Sequence, residues 1–490
     1  SSSLQMSRPH IILIMTDQQR YETIGALGYP HVDTPHLDRL VQEGVAFSQC
    51  HVNSPSCCPS RASFFTGHFP HNSGVQRNND PWPRTWVEDL HSSGYYCVNV
   101  GKMHADPYTK MHGFHERFIV ENKQRRLAEP LWSGNPHVFD DDWDKALAAH
   151  GQARPEKPDY LSWPDAKERQ GCFEWKLPEH LHPDVFTGEL ALRWLEKKPE
   201  QMEEPVFLQI GFPGPHGPYD PILRYAEPYL DRDLPLLPVT EAELESQPST
   251  LKSLRSRFIE RCPDSVAFDP YATEEQRHRQ RAYYLANTTM IDEQIGRILE
   301  ALERREMLDN SIVIFTSDHG DCLGDHGLVE KWNMYDSSVR VPLVVWSPER
   351  YPGGRVEPSL TQWFDLGPSI LDWAEVAPDD RPSMEAQSIV PVLENPSAAE
   401  KRDYIFSEAA PDFMLQDVGY LYMARDERYK LIDFRGKGEG QLFDLQDDPD
   451  ERNDLWQEES ARPIRDRLKA ALDNWLAESI SEHAGWWLKH

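Results

Sequence analysis

Adjacent cysteines run into a proline, a serine and an arginine at residues 54–67, SPSCCPSRASFFTG. Ser60 reads as a helix cap there, and a helix N-terminus favours anions. A thiol at that place, with Arg61 beside it, would be reactive rather than inert. Asp17 and Gln18 end the apolar run HIILIMT, and Ser317-Asp318-His319-Gly320-Asp321 directly follows IVIFT. Asp17, Asp318 and His319 together make an oxygen-rich set with one imidazole, which suits a hard or borderline divalent cation. Gly101-Lys102-Met103-His104 follows YCVNV. On an extended segment a Lys and a His at i and i+2 project to the same side. His216 lies in Gly214-Pro215-His216-Gly217-Pro218-Tyr219 after VFLQI, and Lys331 closes LGDHGLVEK. His326 of that last stretch reads as a surface histidine. Singly, each motif also fits a plain turn, a buried thiol or a solvated lysine.

These groups need elements to hold them. Residues 10–16, 96–100, 206–210, 312–316 and 341–346 are short continuous apolar runs, the pattern of strands covered on both faces. Ile291, Ile295, Ile298, Leu299 and Leu302 form one stripe at helical spacing, and residues 361–373 read as a second helix. The expected fold is therefore α/β, a large mostly parallel sheet between helices. Residues 105–185 and 218–275 read as long insertions over that sheet. Trp132, Trp143, Trp163 and Trp175 of the first could stack on sugar or aryl rings, packing being the simpler role. Asn78 and Asn79 face the pocket or form a turn. After a linker-like stretch at 377–383, residues 404–406, 421–423, 429–434 and 441–445 read as antiparallel strands. A helix carrying Ile464, Leu468, Leu472, Trp475 and Leu476 on one face follows. The expected units are a large α/β one over 6–383 and a small α+β one over 384–490.

The 490 residues carry 51 basic against 81 acidic side chains, a formal charge of −30. That argues against nucleic acid and anionic lipid as partners. No apolar run is long enough to span a bilayer. The seven cysteines are odd in number, five of them scattered and Cys57-Cys58 adjacent, unlike a secreted disulfide framework. With Met6 as the native start, no leader fits ahead of the first strand, and a cytoplasmic location is expected. A signal peptide removed beforehand would make it periplasmic or secreted.

The motifs resemble the type I sulfatase family of the alkaline phosphatase superfamily, whose signature is C-x-P-S-R followed by A-S-x-x-T-G. Cys57, Pro59, Ser60, Arg61, Ala62, Ser63, Thr66 and Gly67 match it. The resemblance spans about residues 8–480 and implies an alkaline-phosphatase-like fold. By it Cys57, not Cys58, is converted to formylglycine (3-oxoalanine), whose hydrate supplies a nucleophilic oxygen. It places one divalent cation on Asp17, Gln18, Cys57, Asp318 and His319. Ca²⁺ is the family default, and the imidazole leans toward Mn²⁺. It makes Lys102 and Lys331 sulfate-binding groups, His104 a base, and His216, through the pattern P-H-x-P-[FY], the general acid. Arg61 adds fixed positive charge. Gln18 stands where many members carry a second Asp and His319 where many carry Asn, a pattern of the subgroup near choline sulfatases and phosphonate monoester hydrolases. The implied reaction splits a sulfate monoester into alcohol and inorganic sulfate. The implied partners are a small-molecule or saccharide sulfate ester and a formylglycine-generating enzyme, and the chain could form a homo-oligomer. A phosphonate monoester or phosphodiester hydrolase on the same site, and a non-enzymatic anion binder with Cys57 left as a thiol, stay open. A redox role for Cys57-Cys58 lacks the spaced CxxC pairs it needs.

Overall fold

The computed structural model describes residues 8–489; Met6 lies outside the described residues. Eight strands form the main sheet: β1 (His10–Asp17), β2 (Val45–Phe47), β3 (Tyr96–Gly101), β4 (Glu116–Ile119), β5 (Val206–Pro215), β6 (Ser311–Ser317), β7 (Leu343–Trp346) and β8 (Arg355–Glu357). Their order is β8-β2-β7-β6-β1-β5-β3-β4. All run one way except β7, which is antiparallel to both its neighbours.

The register explains the apolar runs. Ile11, Leu13 and Met15 of β1 point into one core and Ile12 and Ile14 into the other, so both faces are sealed. The second core is closed by α1 (Pro35–Glu43), α3 (Pro183–Lys197) and α4 (Glu274–Arg304), the first by α2 (Cys57–Thr66) and α5 (Leu366–Trp373). A reciprocal cap starts α4: Thr273 Oγ1 accepts from the Gln276 amide at 3.1 Å and Gln276 Oε1 from the Thr273 amide at 2.9 Å.

The expected α/β class and the mostly parallel sheet are borne out. The expected helix over 361–373 is too long at its start. Thr361–Gln362 pairs as a short strand with Cys50–His51, Trp363–Asp365 is a 3₁₀ turn, and α-helix begins at Leu366. The Asp365 carboxylate caps the Gln362 amide at 3.1 Å, which favours the turn over a continuous helix. The insertions hold structure of their own, including a two-stranded ladder (Leu127–Glu129 with His137–Phe139) and a helix at Ser249–Arg261. No helix among the described residues is long and apolar enough to cross a membrane.

Beyond the main sheet, β9 (Ile405–Ala409), β10 (Tyr420–Arg425), β11 (Tyr429–Arg435) and β12 (Glu439–Asp444) form an antiparallel meander backed by α6 (Arg462–His483). Leu421, Met423, Ile432 and Phe434 join the large core, while Tyr422, Ala424, Leu431 and Leu442 pack with Leu468 and Leu472 of α6. A buried ion cluster welds this sheet to the segment leading out of the site. Lys430 on β11 donates to the Met334 carbonyl at 2.9 Å and pairs with Asp336 and, at 2.8 Å, with Glu451. Burial pushes the Asp336 carboxyl up, but Lys430 outweighs it and holds the group well below the usual range. Lys430→Met therefore leaves two carboxylates buried without a cation and should cost about 3–5 kcal/mol at pH 7, read as a shifted urea midpoint. A depressed carboxylate lends its stability above its unfolded value and loses it as pH falls, so the gap between variant and parent should narrow below about pH 4.

Candidate active site

The C-terminal ends of β1, β3, β5 and β6 converge, the place where parallel sheets gather ligands. Asp17 ends β1, Lys102 follows β3, His216 follows β5, and Asp318 and His319 follow β6. Glycine lets two of these strands close up. A Cβ on Gly101 (φ 93°) would meet the Gly211 carbonyl at 2.1 Å, and the Lys102 amide donates to that carbonyl at 2.8 Å.

Cys57 is the first residue of α2, and Ser56 is its N-cap in extended conformation. The expectation that Ser60 caps this helix is corrected: Ser60 lies one turn inside and donates to the Asp318 carbonyl at 2.8 Å. The two cysteines point to different worlds. Cys58 Sγ accepts from the Trp82 indole at 3.2 Å, and burial pushes its thiol up to about 12. Cys57 Sγ lies 3.1 Å from Lys331 Nζ and 3.2 Å from His319 Nε2. Burial would push this thiol up as well, but Lys331, His319 and Lys102 hold it well below the usual thiol range.

Asp17, Cys57, Asp318 and His319 bring four ligand atoms within 4.8 Å of one another, all buried. His319 Nδ1 donates to the Gly320 carbonyl at 2.8 Å, and its Nε2 faces Asp17 at 3.5 Å and Asp318 at 3.6 Å. An imidazole tied at one nitrogen and open at the other is the usual state of a metal-ligating histidine. Burial and the neighbouring Asp17 push the Asp318 carboxyl up, which a divalent cation between the two would relieve. The donor set thus fits a divalent cation. Gln18 (φ 71°) sits beside it, its amide oxygen accepting from Lys331 Nζ at 3.2 Å and its amide nitrogen donating to Asp321 at 2.8 Å.

Cations ring the thiol. Lys102 Nζ pairs with Asp17, and Arg61, wholly buried, bonds Asp318 at 2.9 Å and the Lys102 carbonyl at 3.2 Å. His104 (φ 61°) is not on extended backbone, as its spacing from Lys102 had suggested; the Glu121 carboxylate holds its amide at 2.8 Å in a tight turn. Burial pushes the His104 imidazole below its ordinary value against the pull of its bond to Cys57. His216 Nδ1 donates to the Gly217 carbonyl at 2.6 Å, and its Nε2 lies 3.2 Å from Lys331 Nζ. The Trp332 amide donates to the Pro55 carbonyl at 3.0 Å, which pins Lys331 above the start of α2.

Cys57, Lys102, His104, His216 and Lys331 open into a cavity of about 530 Å³, whose wall includes Asn78 and Asn79. Its rings are Trp332 and Phe413; Trp132, Trp143, Trp163 and Trp175 do not line it. A larger cavity, of about 1290 Å³, opens beside β4 and touches none of these groups. His326 is also corrected. It is buried, stacked on Tyr335 at 3.7 Å and bonded to Glu243 at 2.8 Å, apart from the site.

Residues 9–376 match the sulfatase family model, and residues 324–478 match the model of the N-sulphoglucosamine sulphohydrolase C-terminal region. The chain belongs to the sulfatase family. An arylsulfatase of Clostridium perfringens is 30% identical, over 95% of this chain and 94% of the relative. A choline-sulfatase of Rhizobium meliloti is 28% identical, over 91% and 82%. The crystal structure of a phosphonate monoester hydrolase of Agrobacterium radiobacter superposes with a TM-score of 0.78 at 25% identity, covering 96% of each chain.

Four groups of this sulfatase escaped the motif reading: Glu121, Asp264, Asp321 and Glu330. Asp321 was visible only as the end of the SDHGD stretch, and Asp264 and Glu330 carried no signal because their partners lie far off in sequence.

A ligand that binds only the folded state stabilises it by about 2.7 kcal/mol at 100 times its Kd. Added Ca²⁺ or Mn²⁺ should therefore raise the melting temperature of the chelator-treated protein. Asp318→Asn should lose that rise under the same titration, and an undiminished rise in the variant would place the ion elsewhere.

Proposed function

We propose that this sulfatase hydrolyses sulfate monoesters to an alcohol and inorganic sulfate after Cys57 has been matured to formylglycine. The observation that carries the reading is the placement of Cys57. Its Sγ alone of the two neighbouring thiols meets Asp17, Asp318 and His319 on one side and Lys102, His104 and Lys331 on the other. When present, the cation, held by Asp17, Asp318, His319 and residue 57 with Gln18 alongside, would neutralise anionic charge, and the hydrated aldehyde would offer the attacking oxygen.

The chain's own residues do the rest. Lys102 and Lys331 are fixed cations placed where a sulfate's charge develops, and burial makes their field stronger than it would be in water. Arg61 acts behind them by holding Asp318 and the Lys102 backbone. His104, neutral and buried, can take a proton at residue 57. His216, beside Lys331 on the cavity side, is placed to protonate the departing alcohol. The cavity lies within the usual range for small-molecule pockets and suits a small or saccharide sulfate ester. A Ca²⁺ or Mn²⁺ ion fits the ligand set, oxygen-rich with one imidazole.

A second reading, phosphonate monoester hydrolysis, is favoured by Gln18 at the end of β1 and by the likeness to the Agrobacterium enzyme. Relative kcat/KM on an aryl sulfate and the matched aryl phosphonate separates the two. Sulfate should be the better substrate, and a faster phosphonate would reverse the assignment.

The acid and the base should also separate by leaving group. His216→Ala should lower kcat/KM for alkyl sulfates by about 10²–10⁴-fold and spare activated aryl sulfates, which leave without a proton. His104→Ala should slow both classes alike. An equal pattern in the two variants would undo the assignment.

A further inference from the structure

Two carboxyl groups face each other beside His216 and take no part in the cation set. Asp264 lies in the second insertion and Glu330 directly before Lys331, and with His216 they bring three ligand-type atoms within 4.8 Å. Gln124 donates to Asp264 Oδ1 at 2.9 Å, which turns Oδ2 toward His216 Nε2 at 3.4 Å and Lys331 Nζ at 4.0 Å. Glu330 is wholly buried, and neither of its oxygens receives a hydrogen bond. Both residues sit on left-handed backbone, Asp264 at φ 55° and Glu330 at φ 58°, and Ser265 next to Asp264 is at 63°. Side chains this close, held on strained loops that meet from distant parts of the chain, mark a functional constraint rather than a turn.

The charges decide what the pair does. Asp264 faces His216, Lys331, Glu330 and, further in, Cys57; Glu330 faces Asp264, Lys331 and Asp321. An ionised Glu330 would be a second buried anion with no donor of its own. Burial and the neighbouring Asp264 push its carboxyl well above the usual range, whereas His216 and Lys331 overcome burial to hold Asp264 well below it. A protonated Glu330 becomes the donor and Asp264 the acceptor, the arrangement in which two carboxyl groups share one proton.

We propose that Asp264 and Glu330 form a proton-sharing carboxyl pair that positions His216, holding its Nε2 on the cavity side beside the ammonium of Lys331. Lys331 Nζ lies 3.2 Å from the imidazole. The single negative charge of Asp264, 3.4 Å away on the cavity side, faces the same nitrogen. Glu330 keeps its proton, so Asp264 stays a lone charge with fixed orientation. In turnover His216 gives the Nε2 proton to the leaving oxygen and regains one from water, while the Glu330 proton does not move. The pair is a positioning device for the acid and rests on the reading of His216 given above.

The test uses the full chain co-expressed with a formylglycine-generating enzyme, assayed on an alkyl and a nitroaryl sulfate. Asp264→Asn should lower kcat/KM on the alkyl ester by about 10²-fold, with the nitroaryl ester close to the parent. Glu330→Ala should show the same selective loss, and Glu330→Gln, which keeps a neutral donor of the same shape, should restore activity on the alkyl ester. Equal losses on both esters, or no rescue by Gln, would overturn the pair. So would a second equivalent of divalent cation in the parent that disappears in Glu330→Ala, since an ion would then stand where the proton is assigned. Where Asp264→Asn does not fold, the two Glu330 variants decide alone. A formylglycine-bearing parent that turns over neither ester would fail the sulfatase reading itself, a result distinct from every one above.

Discussion

Four donors converge on the carboxylate of Asp321, a buried group that belongs to none of the proposed ligand or acid-base roles. Oδ1 accepts the amides of Leu323 at 3.0 Å and Glu330 at 2.7 Å; Oδ2 accepts the Gln18 amide nitrogen at 2.8 Å and the Tyr219 hydroxyl at 2.5 Å. Those donors belong to three separate loops, after β1, after β5 and after β6. A buried anion with charge-assisted bonds on all sides resists rearrangement, because losing one bond leaves charge unsatisfied. The loops that carry Gln18, His216 and Lys331 are thereby set relative to each other before any ligand arrives. This is the preorganisation that electrostatic catalysis requires, since dipoles already in place need not reorganise as charge develops.

The ion pairs do the corresponding work between elements. Arg61–Asp318 joins α2 to the end of β6, and Lys102–Asp17 joins the loop after β3 to the end of β1. Removing one partner of such a pair strands its mate in a low-dielectric interior, typically at a loss of about 3–5 kcal/mol. The insertions add a roof with the same logic. Buried Lys123 of the first donates to the carbonyls of His216 and Pro218, at 2.9 and 3.4 Å, and pairs with Asp220 at 2.9 Å. Segments that look like decoration on the sheet therefore hold the His216 loop.

That division sets what could be read in advance. Strands β1, β5 and β6 were legible because both their faces are buried, which writes continuous apolar runs into the sequence. β2 and β8, three residues each, leave no such run. Every motif at a strand end was legible for a related reason: a polar group where an apolar run stops needs a cause. His326 was misread because its burial comes from Tyr335 and Glu243, and Glu243 is 83 residues away in sequence. Asp264 was silent for the same reason, as only packing of the second insertion over the sheet brings it to His216. Local pattern reports the sheet and its ends; the groups that tune those ends come from long-range contact.

Backbone conformation shows how tightly the tuning is enforced. Gln18, His104, Glu330 and Trp332 all lie at positive φ without being glycine, a state that costs of the order of 1–3 kcal/mol each. In all four the amide is held by a fixed acceptor: Asp318 at 3.0 Å for Gln18, Glu121 at 2.8 Å for His104, Asp321 at 2.7 Å for Glu330 and the Pro55 carbonyl at 3.0 Å for Trp332. Three of those acceptors are buried carboxylates, whose bonds are stronger than neutral ones and make up the conformational loss. The strained turn aims the side chain, and the carboxylate keeps the turn. Relaxing Gln18, His104 or Glu330 into an ordinary conformation would take a donor from a buried carboxylate, so at those three positions strain and charge each persist because the other is there.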